Sequence, residues 1–171
     1  MKILNIEFKA KSDHIDLLEE KLLRLSPKFI GEDHQIDTYF NVPQGRLKLR
    51  EGNIENSLIY YIREDTSGSK QSDGVLYRHD PAPALKELLV KVHGIKVVVD
   101  KRRRIYFIDN VKFHFDRVAQ LGTFVEVEAI DREGDIGVEH LQRQCDYYAA
   151  FFEINSEDYM EHSYSDMLLN L

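Results

Sequence analysis

Charge and hydrophobe alternate along one segment of this chain after another, in acidic and basic rows that match each other, and this restricts the fold more than any other feature. Asn5, Glu7, Lys9 and Lys11 fall on one face of the first segment, with Leu4, Ile6, Phe8 and Ala10 on the other. The same period of two recurs in Gln35/Asp37/Tyr39, Arg46/Lys48/Arg50, Tyr61/Arg63, His114/Asp116 and Glu126/Glu128. Successive side chains of a strand point to opposite faces, so each set occupies a single surface. An open sheet with one wet face would produce such alternation too. Rows of opposite sign on so many strands point further, to a closed sheet with a polar lumen and an apolar outer face covered by helices. Such a tunnel would bind ions.

The remaining elements follow from punctuation and periodicity. Residues 2–11 read as a strand. Ser12 or Asp13 is placed to cap a helix whose apolar stripe is Ile15, Leu18, Leu22 and Leu25, and Pro27 ends it. Strands are expected at about 33–41, 46–51 and 57–64, with turns at Pro43-Gln44-Gly45 and Gly52-Asn53. The polar run from Asp65 to Gly74 reads as a loop, followed by a short strand at 75–79. Pro81 and Pro83 suit the first turn of a helix over 82–93, stopped by Gly94. Three strands are expected at 95–107, 111–118 and 123–130, then a helix at 136–152 and a short one near 158–169. The order is α+β, and its short connections favour antiparallel pairing.

At 171 residues the chain has the length of one domain with a real core. Its apolar runs are short and interrupted, and the N-terminal Met1–Asn5 has no signal-peptide character, so a cytoplasmic protein with no membrane partner is expected. The lone Cys145 sits in an expected helix and reads as a bystander thiol. Net charge is −7, yet the basic residues are focused in strands rather than spread over a surface. That pattern disfavours nucleic acid and suits a small polyanion held inside a site. A homodimer is compatible with the sequence.

Glu126 and Glu128 lie on the same face of one strand about 7 Å apart, with Asp116 on the preceding strand. Like charges this close repel unless a cation lies between them, and hard divalent ions such as Mg²⁺ bridge carboxylates to phosphate oxygens. A solvent-facing acidic strand is the plainer alternative. Arg46, Lys48 and Arg50 form a cationic row suited to phosphate oxygens if turned inwards, and ordinary surface charge if turned out. In the block Lys101-Arg102-Arg103-Arg104 both faces have apolar flanks, so parity does not choose between Lys101/Arg103 and Arg102/Arg104. His114 reads first as a hydrogen-bonded structural histidine and second as an acid/base group.

Taken together these residues resemble a known family. Asn5-Ile6-Glu7-Phe8-Lys9 resembles the N-terminal Glu-x-Glu-x-Lys signature of the CYTH superfamily, the triphosphate tunnel metalloenzymes that include class IV adenylyl cyclases and thiamine triphosphatases. The likeness continues through Gln35–Phe40, Leu47-Lys48-Leu49-Arg50, Lys101-x-Arg103, Asp116, Leu121–Glu128 and the tail Ser163–Leu169. The resemblance implies an antiparallel eight-stranded β-barrel with flanking helices. It implies Glu7, Asp116, Glu126 and Glu128 as ligands of Mg²⁺ or Mn²⁺. It implies Lys9, Lys11, Arg46, Lys48, Arg50, Arg63, Lys101 and Arg103 as contacts to a triphosphate, with Lys9 and Arg63 also catalytic. One position departs: Asn5 stands where the signature has its first glutamate, and an amide supplies a neutral oxygen rather than a charge.

Three functions follow from these expectations. The first is an adenylyl cyclase-like enzyme converting ATP to cyclic AMP and pyrophosphate. The second is a hydrolase of thiamine triphosphate or inorganic tripolyphosphate. The third, kept open by Asn5, is a non-catalytic nucleotide- or polyphosphate-binding module.

Overall fold

The computed structural model describes residues 2–63 and 68–171. Eight strands run in chain order as β1 (Lys2–Lys11), β2 (Lys28–Phe40), β3 (Arg46–Glu51), β4 (Asn56–Arg63), β5 (Lys70–Arg78), β6 (Ile95–Ile108), β7 (Val111–Val118) and β8 (Gly122–Asp131). They close into a barrel in the spatial order β1-β5-β4-β3-β2-β6-β7-β8, and every neighbouring pair is antiparallel. Four helices flank it: α1 (Ile15–Leu23), α2 (Pro83–His93), α3 (Val138–Phe151) and α4 (Tyr164–Leu169).

The alternation decides which way each strand faces. The odd residues of β1 and the even residues of β7 and β8 turn inwards, so their apolar partners turn out. Phe8, Phe113, Phe115, Val125 and Val127 are fully buried on the outer surface beneath α1 and α3. Each such side chain contributes about 1.5–3 kcal/mol through removal from water. From α3, Leu141, Cys145, Tyr148 and Phe152 complete this cluster, and Tyr148 and Phe152 meet Phe113 edge-on. The Cys145 thiol is fully buried, donates to the Ile6 carbonyl at 3.2 Å and is pushed up to about 12 by burial, as a bystander would be. The helical cover is one-sided, however. On the outer faces of β4 and β5, Tyr60, Ile62, Val75 and Tyr77 are exposed.

Several boundaries differ from the sequence expectation. Strand β2 starts at Lys28 rather than 33, because β6 is long enough to pair with it back to Lys28↔Phe107, through an irregularity between Phe29 and Gly31. Neither Ser12 nor Asp13 caps α1; His14 holds the N-cap position, and the Ser12 hydroxyl accepts from the His14 N–H instead. The stretch expected as a loop up to Gly74 is strand from Lys70 onwards, hydrogen-bonded to β1 from Lys70↔Glu7 to Val75↔Lys2. Its polarity misleads because its inner face, Ser72 and Gly74, lines a polar lumen. Residues 64–67, expected as the end of a strand and the start of that loop, lie outside the described residues. The terminal helix is also shorter than expected: Ser156–Asp158 form a 3-10 turn, and α4 begins after Ser163, whose hydroxyl accepts from the Asp166 N–H.

Candidate active site

The inward rows line one cavity of about 560 Å³. Among the described residues, seven basic and five acidic side chains that are not exposed line it, with Arg78, Arg132 and Asp80 exposed at its rim, in a chain whose net charge is −7. The interior thus keeps a small positive excess, where low dielectric strengthens its pull on an anion. Along β1 the lining residues are Asn5, Glu7 and Lys9; β3 contributes Lys48 and Arg50, and β4 contributes Tyr61 and Arg63. From β6 come Lys101 and Arg103, with His114 from β7 and Glu126 and Glu128 from β8. Register settles what parity left open in the basic block. Arg103 stands opposite Asp116 and faces in, Arg102 is exposed, and Arg104 turns outwards to Glu19 at 2.6 Å.

Two carboxylates organise the cations. Asp37 receives Arg50 through Nε and Nη2, both at 2.8 Å, and Lys101 Nζ at 2.7 Å, with Lys48 Nζ at 3.7 Å. Burial pushes the Asp37 carboxyl up, but these three cations outweigh it and hold it well below the usual range. Arg103 grips Asp116 at 2.7 and 2.6 Å and reaches Glu126 at 2.9 Å. Arg63 donates to Glu7 at 2.9 Å. Desolvating such charges costs more than a single surface pair returns, so the bidentate geometry and shared partners are what make the arrangement tenable.

The C-terminal segment lies across one end. The Tyr164 hydroxyl donates to Asp116 at 2.7 Å, Lys9 Nζ sits 3.8 Å from the Tyr164 ring centre, and Asp166 pairs with Arg46 at 2.6 Å. Lys70 donates to the carbonyls of Met160 and Glu161. The other end is lined by Ile3, Ile54, Leu76 and Ile130 together with Arg78, His79 and Arg132.

Not every residue expected at the site lines the cavity. Lys11 has the right parity but lies past the lumen and is exposed. Arg46 is drawn to Asp166 at the α4 end. Asp116 is fully buried behind Arg103, with its oxygens engaged by Arg103 and Tyr164 rather than turned to the lumen. His114 is buried, but neither ring nitrogen has a hydrogen-bond partner; Glu126 lies 3.5 Å from Nδ1. Burial, reinforced by Arg103, lowers its pKa to about 4, so it is neutral at pH 7. Four residues carry no site role in the sequence reading: Asp37, which has only its face, and Lys112, Tyr164 and Glu55. Lys112 shares the parity of His114 and Asp116, so the sequence did carry its signal. Tyr164 was quoted only as part of a tail. Glu55 lies between β3 and β4, where no periodicity marks it.

The first strand and β8 face each other as Glu7↔Glu128 and Lys9↔Glu126. Lys9 and Arg103 hold Glu126 well below its usual pKa despite burial, whereas burial and Glu7 push Glu128 up. Asn5 Nδ2 donates to Glu128, and its buried Oδ1 has no partner. Among the described residues, no three acidic, imidazole or thiol groups form a ready-made metal cage. The donors still fit a hard divalent cation: an unpartnered amide oxygen beside two opposed carboxylates suits an ion that keeps several waters and takes its remaining oxygens from phosphate.

Lys101 yields a pH prediction. Burial lowers its pKa to about 7 against the pull of Asp37, with Arg50, Arg103 and Lys48 adding repulsion. Polyanion affinity should therefore fall as pH rises through about 7. Stability without ligand should move the other way, since above that pH the unfolded chain binds the proton that the folded one releases. Calorimetric titration and thermal melts from pH 6 to 9 check both signs, and Lys101→Met should flatten both curves.

Residues 4–164 match the CYTH domain family. The chain belongs to the CYTH family. Relatives of this CYTH chain are distant. A Methanocaldococcus jannaschii protein provisionally named an adenylate cyclase is 26% identical over 135 residues, covering 74% of this chain and 77% of that protein. The PH1012 protein of Pyrococcus horikoshii OT3 has a similar structure, with a TM-score of 0.82 at 24% identity over 95% of this chain and 98% of that one. A Vibrio parahaemolyticus protein provisionally named an adenylate cyclase superposes with a TM-score of 0.79 at 15% identity, covering 97% and 98% of the two chains. A Hippeastrum protein, provisionally named an adenylyl cyclase and described as having a dominant triphosphatase activity, gives 0.61 at 15%, covering 99% and 94%. At these identities the CYTH structures share the fold.

Proposed function

We propose that this CYTH protein is a divalent-metal-dependent enzyme acting on a nucleoside triphosphate inside its barrel, with ATP converted to cyclic AMP and pyrophosphate. The observation that carries the reading is the excess of basic side chains inside a cavity whose far end adds Ile3, Ile54, Leu76 and Ile130 to the polar Arg78, His79 and Arg132. The basic interior suits the phosphates, and the apolar groups at that end suit an organic group that inorganic tripolyphosphate lacks. Membership of a family that binds triphosphates and is generally dependent on divalent metals supports the same reading.

In this mechanism Lys48, Arg50, Lys101 and Arg103 hold the phosphate chain, already oriented by Asp37 and Asp116. Lys9 and Arg63 neutralise charge that develops as the bond breaks. Glu7, Glu126 and Glu128, with Asn5 Oδ1, would hold Mg²⁺ or Mn²⁺, and Asp116 acts by fixing Arg103. The bound ion would supply Lewis-acid polarisation of the phosphate oxygens. The ribose 3′-hydroxyl gives its proton to water as its oxygen attacks the α-phosphorus, the bond to the α–β bridging oxygen breaks, and pyrophosphate leaves with that electron pair. Hydrolysis is the second reading, favoured by the triphosphatase activity described for the Hippeastrum structural relative.

Incubating the protein with ATP, thiamine triphosphate and tripolyphosphate, each with Mg²⁺ or Mn²⁺, tests the proposal. Cyclic AMP and pyrophosphate in equal amounts are expected. Orthophosphate alone would replace the cyclase with a triphosphatase, and binding without turnover would leave a binding module.

Asn5 offers a separate prediction. Asn5→Glu should tighten divalent-metal binding in calorimetry, because a fourth carboxylate beside Glu7, Glu126 and Glu128 favours a hard cation. The same change should lower the melting temperature without metal, because it adds like charge beside Glu128. Unchanged metal affinity would remove Asn5 from the ligand set.

A further inference from the structure

Glu55 belongs to no strand, yet its carboxylate reaches into the lumen. The connection between β3 and β4 is tied down where Asp33 accepts the Ile54 and Glu55 N–H groups, both at 2.9 Å. From there Glu55 Oε1 accepts from Gln35 at 2.9 Å and lies 3.4 Å from Arg50 Nη1, while Oε2 pairs with Lys112 on β7. Strands β3 and β7 are separated by β2 and β6 in the barrel, so the carboxylate spans from one wall towards another. Burial pushes its pKa up, but Lys112 and Arg50 outweigh this, and it is anionic.

Its position divides the cavity. Lys48 lies one two-residue step, about 7 Å, from Arg50 towards the end where Tyr164 lies, and Lys9 lies one such step from Glu7 in the same direction. One step is comparable to the length of a triphosphate. A phosphate chain seated on these inner cations is bounded by Tyr164 at one end and meets the Glu55 carboxylate at the other. A fourth phosphate has to displace that carboxylate from Arg50 and Lys112, or face it as a like charge.

We propose that Glu55 is a specificity-determining residue that limits the length of polyphosphate the lumen accepts, acting as an internal anion on Arg50 and Lys112. The proposal rests on reading the lumen as a triphosphate site. Calorimetric titration of the wild type, Glu55→Gln and Glu55→Ala with linear tripolyphosphate and tetrapolyphosphate, without added metal, tests it. The wild type should prefer tripolyphosphate. Both variants should shift the tetra-to-tri affinity ratio towards tetrapolyphosphate by about tenfold, which is about 1.4 kcal/mol. Thermal melts identify folded variants, and Glu55→Ala reports if Glu55→Gln does not fold. A ratio equal to the wild type's in a folded variant, or equal losses for both ligands, would overturn the proposal and leave Glu55 a tie between walls. Absence of tripolyphosphate binding by the wild type would instead overturn the triphosphate reading of the lumen and this proposal with it.

Discussion

Replacing Arg103 by alanine is expected to destabilise the protein by about 3–5 kcal/mol, because it leaves the buried Asp116 carboxylate without its cation. Asp116 is fully buried and receives two hydrogen bonds from Arg103, and Glu126 receives a third. Tyr164 alone would remain on Asp116, and a neutral donor does not offset a buried charge. Arg50→Ala should cost less, because Lys101 and Lys48 stay beside Asp37. Denaturant melts of the two variants check this order. Both should weaken triphosphate binding more than monophosphate binding, since several cations engage several phosphates. Equal losses for the two ligands would show that the cations act through the fold and not through the chain of phosphates.

Glu128→Gln is expected to move stability and metal affinity in opposite directions. Burial and Glu7 raise the Glu128 pKa, so the ionised carboxylate is disfavoured in the folded state. The sign follows: a raised carboxyl pKa stabilises the fold below the unfolded value, and that contribution is lost as pH rises through the folded value. At pH 7 the neutral amide removes the penalty, and the melting temperature without metal should rise. Removing one of two opposed carboxylates should weaken Mg²⁺ or Mn²⁺ binding by at least about tenfold, the loss seen even for groups that merely orient a ligand. Glu126→Gln should weaken metal binding without the gain in stability, because Lys9 and Arg103 already stabilise the ionised Glu126. A fall in melting temperature for Glu128→Gln with metal affinity intact would remove Glu128 from the proposed ligands.

Much of the barrel was legible because it obeys a period of two. Wherever a row of charge alternated with hydrophobes, as in Glu126/Glu128 against Val125/Val127, the inward and outward faces follow from strand geometry alone. The misses share a cause. The Lys70–Gly74 half of β5 reads as a loop because Ser72 and Gly74 carry neither charge nor hydrophobe, and only its ladders with β1 and β4 make it a strand. Parity gives Asp116 a face and not a depth; its pairing with Arg103 and Tyr164 depends on the register of β6 against β7. Glu55 was invisible because its role depends on a turn held by Asp33, far away in sequence. The direction of Lys101 and Arg103 required either family likeness or the cross-strand partner.

The placement of β1 between β5 and β8 bears on how the chain reaches this shape. The first strand of the barrel is sealed on one side by the last of the eight to be made, Gly122–Asp131, so closure waits for every strand. Such distant pairing makes for slow folding. During that interval β1 offers two open edges, the condition in which strands aggregate. Glu7, Lys9 and Lys11 are then the charges that discourage the wrong neighbour. Glu7 and Lys9, proposed to hold metal and phosphate in the finished molecule, would thus first serve as its protection during synthesis.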